Sequence, residues 1–186
     1  MSGGVLIFVA GGARLGVPLA DVTRVTLQGR LTPIPFGHRA LAGLMRGDDG
    51  ALVPVFDLQA LGAGDDDARP RLHVDGATVA VLGTERGPVG LRLDRLLGTA
   101  NRYDAHVARP AHGDDVDQEA VEDVVERHRV ALSPAVRATL GGAGVPRDAS
   151  ASVGTAPFFF FSADAFVAAV SVVGEGGVRT SAGAPS

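Results

Sequence analysis

The stretch LTPIPFGHRALAGLMRGDDGALVPVFDL, residues 31–58, contains three prolines, two short apolar runs and, between these runs, the polar sequence RGDDG at 46–50. Apolar runs on either side of a cluster of Gly and Asp are typical of two strands joined by a turn. Pro33 and Pro35 lack the backbone N–H that a sheet interior needs, so we expect an extended edge segment there. The sequence therefore predicts that 46–50 is a turn and not a catalytic site.

Outward from this stretch, short apolar runs rich in β-branched residues recur between Gly, Pro and Asp residues. Many short strands separated by turns every ~8–12 residues predict an all-β barrel or sandwich. The polar segments 85–88 and 162–165 each predict the loop of a hairpin. The expected strands are 5–9, 15–19, 22–27, 51–56, 78–82, 89–93, 105–109, 158–161 and 166–173.

One section departs from this β pattern. Residues 114–140 predict a short helical insertion, because valines recur at helical spacing and acidic residues crowd its first part. Within it, Ser133 and Pro134 are typical of a second helix start, and Gly141 is typical of its end. We expect one domain over 1–173, a linker at 142–155 and a flexible tail at 174–186.

Composition excludes several classes of function. The 186 residues carry a net charge of −4, so no basic footprint for nucleic acid is present. The chain contains neither lysine nor cysteine, which excludes lysine bases, thiol catalysis and cysteine metal sites. No apolar run approaches the ~18 residues of a membrane span, and no signal peptide is expected. We expect a cytoplasmic protein without direct membrane insertion.

The search for a catalytic or metal site yields little. The five histidines have no paired ligand spacing, and no Gly-x-Ser-x-Gly motif occurs, so we predict no catalytic residue, metal or cofactor. Asp57 and Asp94 follow apolar strands and would serve a small β-barrel hydrolase or ligand-binding protein. The alternative is that nearby backbone N–H groups satisfy both carboxylates, and it is the favoured interpretation.

Five motifs occur in order along 5–110: GVPLxxV at 16–22, TPIP at 32–35, LVPVFDL at 52–58, VAVL at 79–82 and GLRLDRL at 90–96. Their order and spacing resemble the CheW coupling proteins of bacterial chemotaxis and the related regulatory domain of the histidine kinase CheA. The resemblance implies two small five-stranded SH3-like barrels sharing a core. It also implies a non-enzymatic adaptor that couples the cytoplasmic tips of chemoreceptors to a CheA-type kinase, at receptor arrays. A scaffold of a non-chemotaxis signalling complex is the alternative.

The resemblance also assigns residues. By register, the family's acidic residue falls on Arg24 and its arginine on Asp49, which predicts a charge-swapped pair unless the two positions drifted independently. The partner contacts that the resemblance implies are Val17, Val22, Arg24, Asp49, Gly50 and Leu91. Structural roles are expected for Pro33, Pro35, Gly43, Pro54, Asp57, Gly90 and Asp94.

Overall fold

The computed structural model describes residues 4–35, 38–62, 74, 76–101, 103–105, 140–146, 153–154 and 156–175. The predicted helical insertion at 114–140 lies outside the described residues except for Leu140, and the predicted tail lies outside them from residue 176 onward.

Strands dominate the described part of the chain. A single 3₁₀ turn (Leu19–Asp21), a short helix α1 (Gln59–Gly62) and a longer helix α2 (Ala163–Glu175) accompany them. The strands are β1 (Val5–Ala10), β2 (Ala13–Pro18), β3 (Val22–Leu27), β4 (Leu31–Thr32), β5 (Leu41–Arg46), β6 (Leu52–Phe56), β7 (Thr78–Leu82), β8 (Val89–Leu93), β9 (Arg95–Ala100), β10 (Tyr103–Ala105), β11 (Leu140–Pro146) and β12 (Phe158–Phe161).

The strands form two sheets. The first has the order β10-β11-β12-β2-β1-β9 and the second has the order β3-β7-β8-β6-β5-β4. Each contains one parallel pair, β12 with β2 and β6 with β8, and its other pairs are antiparallel. The all-β class and the division into two β units are confirmed. Each sheet has six strands rather than five, and within the described residues neither closes on itself.

One hydrophobic core lies between the sheets, as the resemblance implies. On β1, Leu6 and Phe8 face this shared core, whereas Val5 and Ile7 face a second cluster on the other side of the first sheet. The alternation follows from the two-residue period of a strand. β7 and β8 contribute Ala80, Leu82, Val89, Leu91 and Leu93 to the shared core from the second sheet. A third cluster occupies the opposite face of the second sheet.

The predicted strand at 166–173 is wrong, because these residues belong to α2. Ser162 starts the helix: its side-chain oxygen accepts a hydrogen bond from the backbone N–H of Ala165 (3.2 Å), and its carbonyl oxygen accepts one from Phe166 (3.0 Å). Phe166 then packs edge-on against Phe56, with ring centroids 5.0 Å apart. The valines favour a strand locally, but the cap and this packing decide for a helix.

The predicted linker is also corrected over part of its length. Residues 142–146 form most of β11, which pairs with β10 and β12. Residues 141, 142 and 144 are glycines and carry no side chain, so neither propensity nor alternation indicated this strand. Its neighbours in the sheet determine it.

Candidate partner-binding surface

The sequence RGDDG forms the turn of the β5–β6 hairpin, as predicted. The backbone N–H of Gly47 donates to the carbonyl of Ala51 (2.7 Å), and that of Gly50 donates to the carbonyl of Gly47 (3.0 Å). The carboxylate of Asp49 accepts the backbone N–H of Ala51 (3.0 Å). Gly50 has a φ of 82°, which L side chains rarely adopt. Asp49 and Gly50 are therefore positioned to shape the turn.

Arg24 has an acidic partner in this turn, but the partner is Asp48 and not the predicted Asp49. A guanidinium N–H of Arg24 donates to a carboxylate oxygen of Asp48. The Arg24 side chain is 25% exposed and that of Asp48 is 92% exposed. Because Asp49 is engaged by the turn backbone, the neighbouring acid at the tip is the one that meets the arginine. The pair joins β3, at one end of the second sheet, to the β5–β6 turn.

β3 carries exposed apolar side chains on one face, and the family motifs gave no indication of them. Along β3 partly buried and exposed residues alternate, and Val25 and Leu27 lie on the exposed side, with Leu27 69% exposed. β3 is an edge strand, paired only with β7 among the described residues. The sequence VTRVTL does not reveal this face, because its apolar residues at 22, 25 and 27 do not follow a two-residue period. We call Arg24, Val25, Leu27 and Asp48 the β3 surface.

Two predicted contacts do not lie on any surface. Val17 on β2 and Leu91 on β8 are each 1% exposed and belong to the shared core. Both occupy inward positions of strands that are covered by the other sheet, so they stabilise the fold and are not available to a partner. Val22 at the start of β3 is partly buried and packs against the same core.

Asp57 takes part in a buried ion pair. One of its carboxylate oxygens accepts a hydrogen bond from a guanidinium N–H of Arg92 (2.8 Å), and the other accepts the backbone N–H of Gln59 (3.0 Å). Arg92 also donates from Nε to the side-chain oxygen of Gln28 (2.8 Å), just beyond β3. The sequence analysis assigned no role to Arg92, because its partners Asp57 and Gln28 are distant in the sequence and no local pattern links them.

Asp94 is exposed and is satisfied in a similar way. Its carboxylate accepts the backbone N–H of Gly12 (3.1 Å) and the side-chain amide of Gln59 (2.9 Å). Asp57 and Asp94 are thus both occupied by donors that tie strand ends and turns together, which agrees with the favoured interpretation of them. In the described part of the chain, no group of three His, Cys, Asp or Glu side chains is placed to hold a metal ion.

The prolines and glycines with predicted structural roles lie at strand edges or where neighbouring backbone and side chains leave little space. Pro33 and Pro35 are exposed and follow the edge strand β4. Pro54 lies just before the point where β6 begins to pair with β8. Gly43 has a φ of 150°, and a Cβ there would lie 2.8 Å from the carbonyl oxygen of Thr32. A Cβ on Gly90 would lie 3.0 Å from methyl groups of neighbouring strands.

His38 lies just before β5, the first strand of the β5–β6 hairpin. Its Nδ1 accepts the backbone N–H of Ala40 (3.1 Å), which requires that this nitrogen carry no proton. Burial, and to a smaller extent the positive charge of Arg39, lower the pKa of His38. Folding therefore favours the neutral form of the His38 imidazole.

Comparisons with known proteins agree with this architecture. No curated protein has a sequence that matches the chain significantly. The crystal structure of the scaffolding protein TtCheW from Thermoanaerobacter tengcongensis superposes with a TM-score of 0.57 at 15% identity, covering 88% of this chain and 86% of that one. A structural match at this low sequence identity shows that the two proteins share a fold, and no more.

Two further findings concern the chain itself. None of the helices in the described ranges has the length and the apolar run that crossing a bilayer requires. The family model described as the CheW-like domain matches residues 4–141, more than half of the sequence, and the match confirms the resemblance drawn from the motifs. The chain belongs to the family of CheW-like domains.

Proposed function

We propose that this protein is a non-enzymatic adaptor that couples chemoreceptors to a CheA-type histidine kinase in chemotaxis signalling. Family membership supports an adaptor role, and the similar fold of a protein described as a scaffold is consistent with it. The protein would act in the cytoplasm at receptor arrays, as one domain over residues 1–173.

The observation that carries this proposal is the β3 surface. An edge strand with a row of unpaired backbone groups is a template for strand addition or for docking of another sheet. Leu27 and Val25 supply apolar anchors on the exposed face of β3, while Arg24 lies on its partly buried face and pairs with Asp48. Exposed apolar side chains of this kind are typical of the centre of a protein interface.

Hydrolase chemistry at Asp57 and Asp94 is not favoured. Each carboxylate is held by two donors from the protein, and Asp57 is buried against Arg92. A general base has to reach a substrate proton, and these oxygens are directed at structural partners instead. A scaffold of a non-chemotaxis signalling complex could use the same β3 surface. The identity of the bound partner therefore distinguishes that function from chemotaxis.

The test is binding of the full chain to two purified partners, a CheA regulatory domain and a receptor cytoplasmic tip, by calorimetry. Leu27→Asp places a charge at the centre of the β3 surface and should weaken binding of at least one partner about tenfold or more. Leu96→Asp is the matched control, because Leu96 is an exposed leucine on β9 of the other sheet. We expect this control to bind like the wild type.

Two results would count against the proposal. Absence of binding to any histidine kinase or receptor fragment would contradict the adaptor function itself. Equal loss of affinity in Leu27→Asp and Leu96→Asp would leave the adaptor function in place but would remove the β3 surface as its site.

A further inference from the structure

Two arginines lie on either side of Val9 on the first sheet. Arg14 on β2 is directly opposite Val9 on one side, and Arg95 on β9 is directly opposite Val9 on the other. Side chains directly opposite each other on neighbouring strands project to the same face. Both arginines therefore share the face that carries the second cluster, against which Val9 packs.

These arginines differ from Arg24 on β3 and Arg92 on β8. Arg24 and Arg92 each bind an aspartate, but within the described residues neither Arg14 nor Arg95 forms an ion pair. Arg14 instead donates from Nη2 to the carbonyl oxygen of Val153, which fixes its guanidinium at the edge of the cluster. Its Nε is buried, with no hydrogen-bond partner in the part of the chain that the structure describes.

Within the described residues, this arrangement leaves two positive charges without an anionic partner. Burial, and to a smaller extent the charge of Arg95, lower the pKa of Arg14, although a guanidinium stays protonated at neutral pH. Two cations held near each other beside apolar side chains repel, and the neighbouring apolar surface screens them less than water would.

We propose that Arg14 and Arg95 form an anion site on this face that binds a phosphate group, either free phosphate or a small phosphomonoester. A phosphate carries a charge between −1.5 and −2 near neutral pH, about what two guanidinium groups balance, whereas a carboxylate balances one. Its tetrahedral oxygens also accept from two guanidinium planes at once. The site lies on the other sheet from the β3 surface and is independent of the proposed function.

The side-chain Nε–H signals of the arginines report binding directly by NMR, and no lysine competes for phosphate in this chain. Inorganic phosphate and phosphoserine are titrated separately at pH 7.5, with ionic strength held constant by sodium chloride. We expect saturable shifts of the Arg14 and Arg95 signals with at least one of the two. A response to both points to a phosphate subsite, and a response to phosphoserine alone points to a phosphomonoester.

Matched variants localise the effect. Arg14→Gln and Arg95→Gln should each weaken binding about tenfold or more, because each removes a charge-assisted contact. Arg30→Gln, which removes an exposed arginine beyond β3, should not. If Arg14→Gln fails to fold, the exposed Arg95 still carries the test. Linear, unsaturable shifts, or equal loss in Arg30→Gln, would overturn the proposal.

Discussion

Two Arg–Asp pairs in the second sheet differ in almost every respect except their residue types. Arg92 and Asp57 are buried, with side chains 6% and 12% exposed, and each makes a further hydrogen bond within the fold. Arg24 and Asp48 lie at the surface, and Asp48 is almost fully solvated. The first pair connects β6, β8 and the segment after β3, whereas the second joins β3 to one turn.

The difference in burial sets what each pair can do. A buried pair has lost its hydration, so removing one partner leaves a charge that water cannot reach. An exposed pair is already hydrated, and its geometry is worth only ~0–1 kcal/mol. Loss of one partner of the buried pair should therefore destabilise the fold strongly, whereas the exposed pair is available for recognition. The predictions below test this division, from the largest effect to the smallest.

The largest effect is expected at the buried pair. Asp57→Asn keeps an oxygen for the backbone N–H of Gln59 but leaves the charge of Arg92 without its carboxylate. The free energy of unfolding should fall by about 3–5 kcal/mol in urea titrations. The double variant Asp57→Asn with Arg92→Met removes both charges and should recover a large part of this loss.

The control for this prediction is Arg24→Gln, which breaks the exposed pair by an equally mild change. It should change the free energy of unfolding by no more than about 1 kcal/mol. If Asp57→Asn proved as mild as Arg24→Gln, burial would not be what separates the two pairs.

These pairs also show which features of the fold and of the surface can be predicted from the sequence. The strand end at Asp57 and the turn at 46–50 follow from local patterns, and so does the hairpin of β7 and β8. The partner of Asp57 does not, because Arg92 is 35 positions away and only the sheet order brings it close. The register of the family's motifs predicted the correct turn as the partner of Arg24, but it predicted Asp49 in place of Asp48. The sequence does not show which of these two adjacent aspartates accepts the backbone N–H of Ala51, and this decides which one is left for Arg24.

Backbone geometry, and not the exposed pair, should hold the hairpin that carries Asp48. Gly43→Ala puts a Cβ 2.8 Å from the carbonyl oxygen of Thr32 at a φ of 150°, so the loss of stability should be about 1–3 kcal/mol. Gly29→Ala is the control, because the nearest atom to its new Cβ is Met45 Cγ at 3.9 Å. We expect it to stay within about 0.5 kcal/mol of the wild type in urea titrations. Comparable losses in the two variants would contradict this account.

The same hairpin should respond to acid through His38. Because the pKa of His38 is lowered on folding, the unfolded state takes up the proton first as pH falls below about 6.5, and stability falls with it. Above that range both states are neutral and the full contribution is present. Below the folded pKa both states are protonated, so the loss reaches its limit.

Urea titrations between about pH 7.5 and pH 5 measure this effect, since that range brackets the ordinary histidine value. His38→Asn offers Ala40 an acceptor that does not titrate there, so its stability should fall less than that of the wild type. The other four histidines are unchanged between the two proteins, and the difference therefore isolates His38. Parallel pH profiles would show that His38 does not couple to folding.

The smallest effect is expected at the exposed pair, and charge reversal identifies its members. Arg24→Glu places two negative side chains together and should lower stability by up to about 1 kcal/mol at low salt, with the loss fading as salt screens it. Adding Asp48→Arg restores attraction and should recover the loss. Adding Asp49→Arg should recover less, because it also removes the carboxylate that accepts the backbone N–H of Ala51. If Asp49→Arg restored the stability of Arg24→Glu better than Asp48→Arg did, the partner of Arg24 would be Asp49, as the family register predicts.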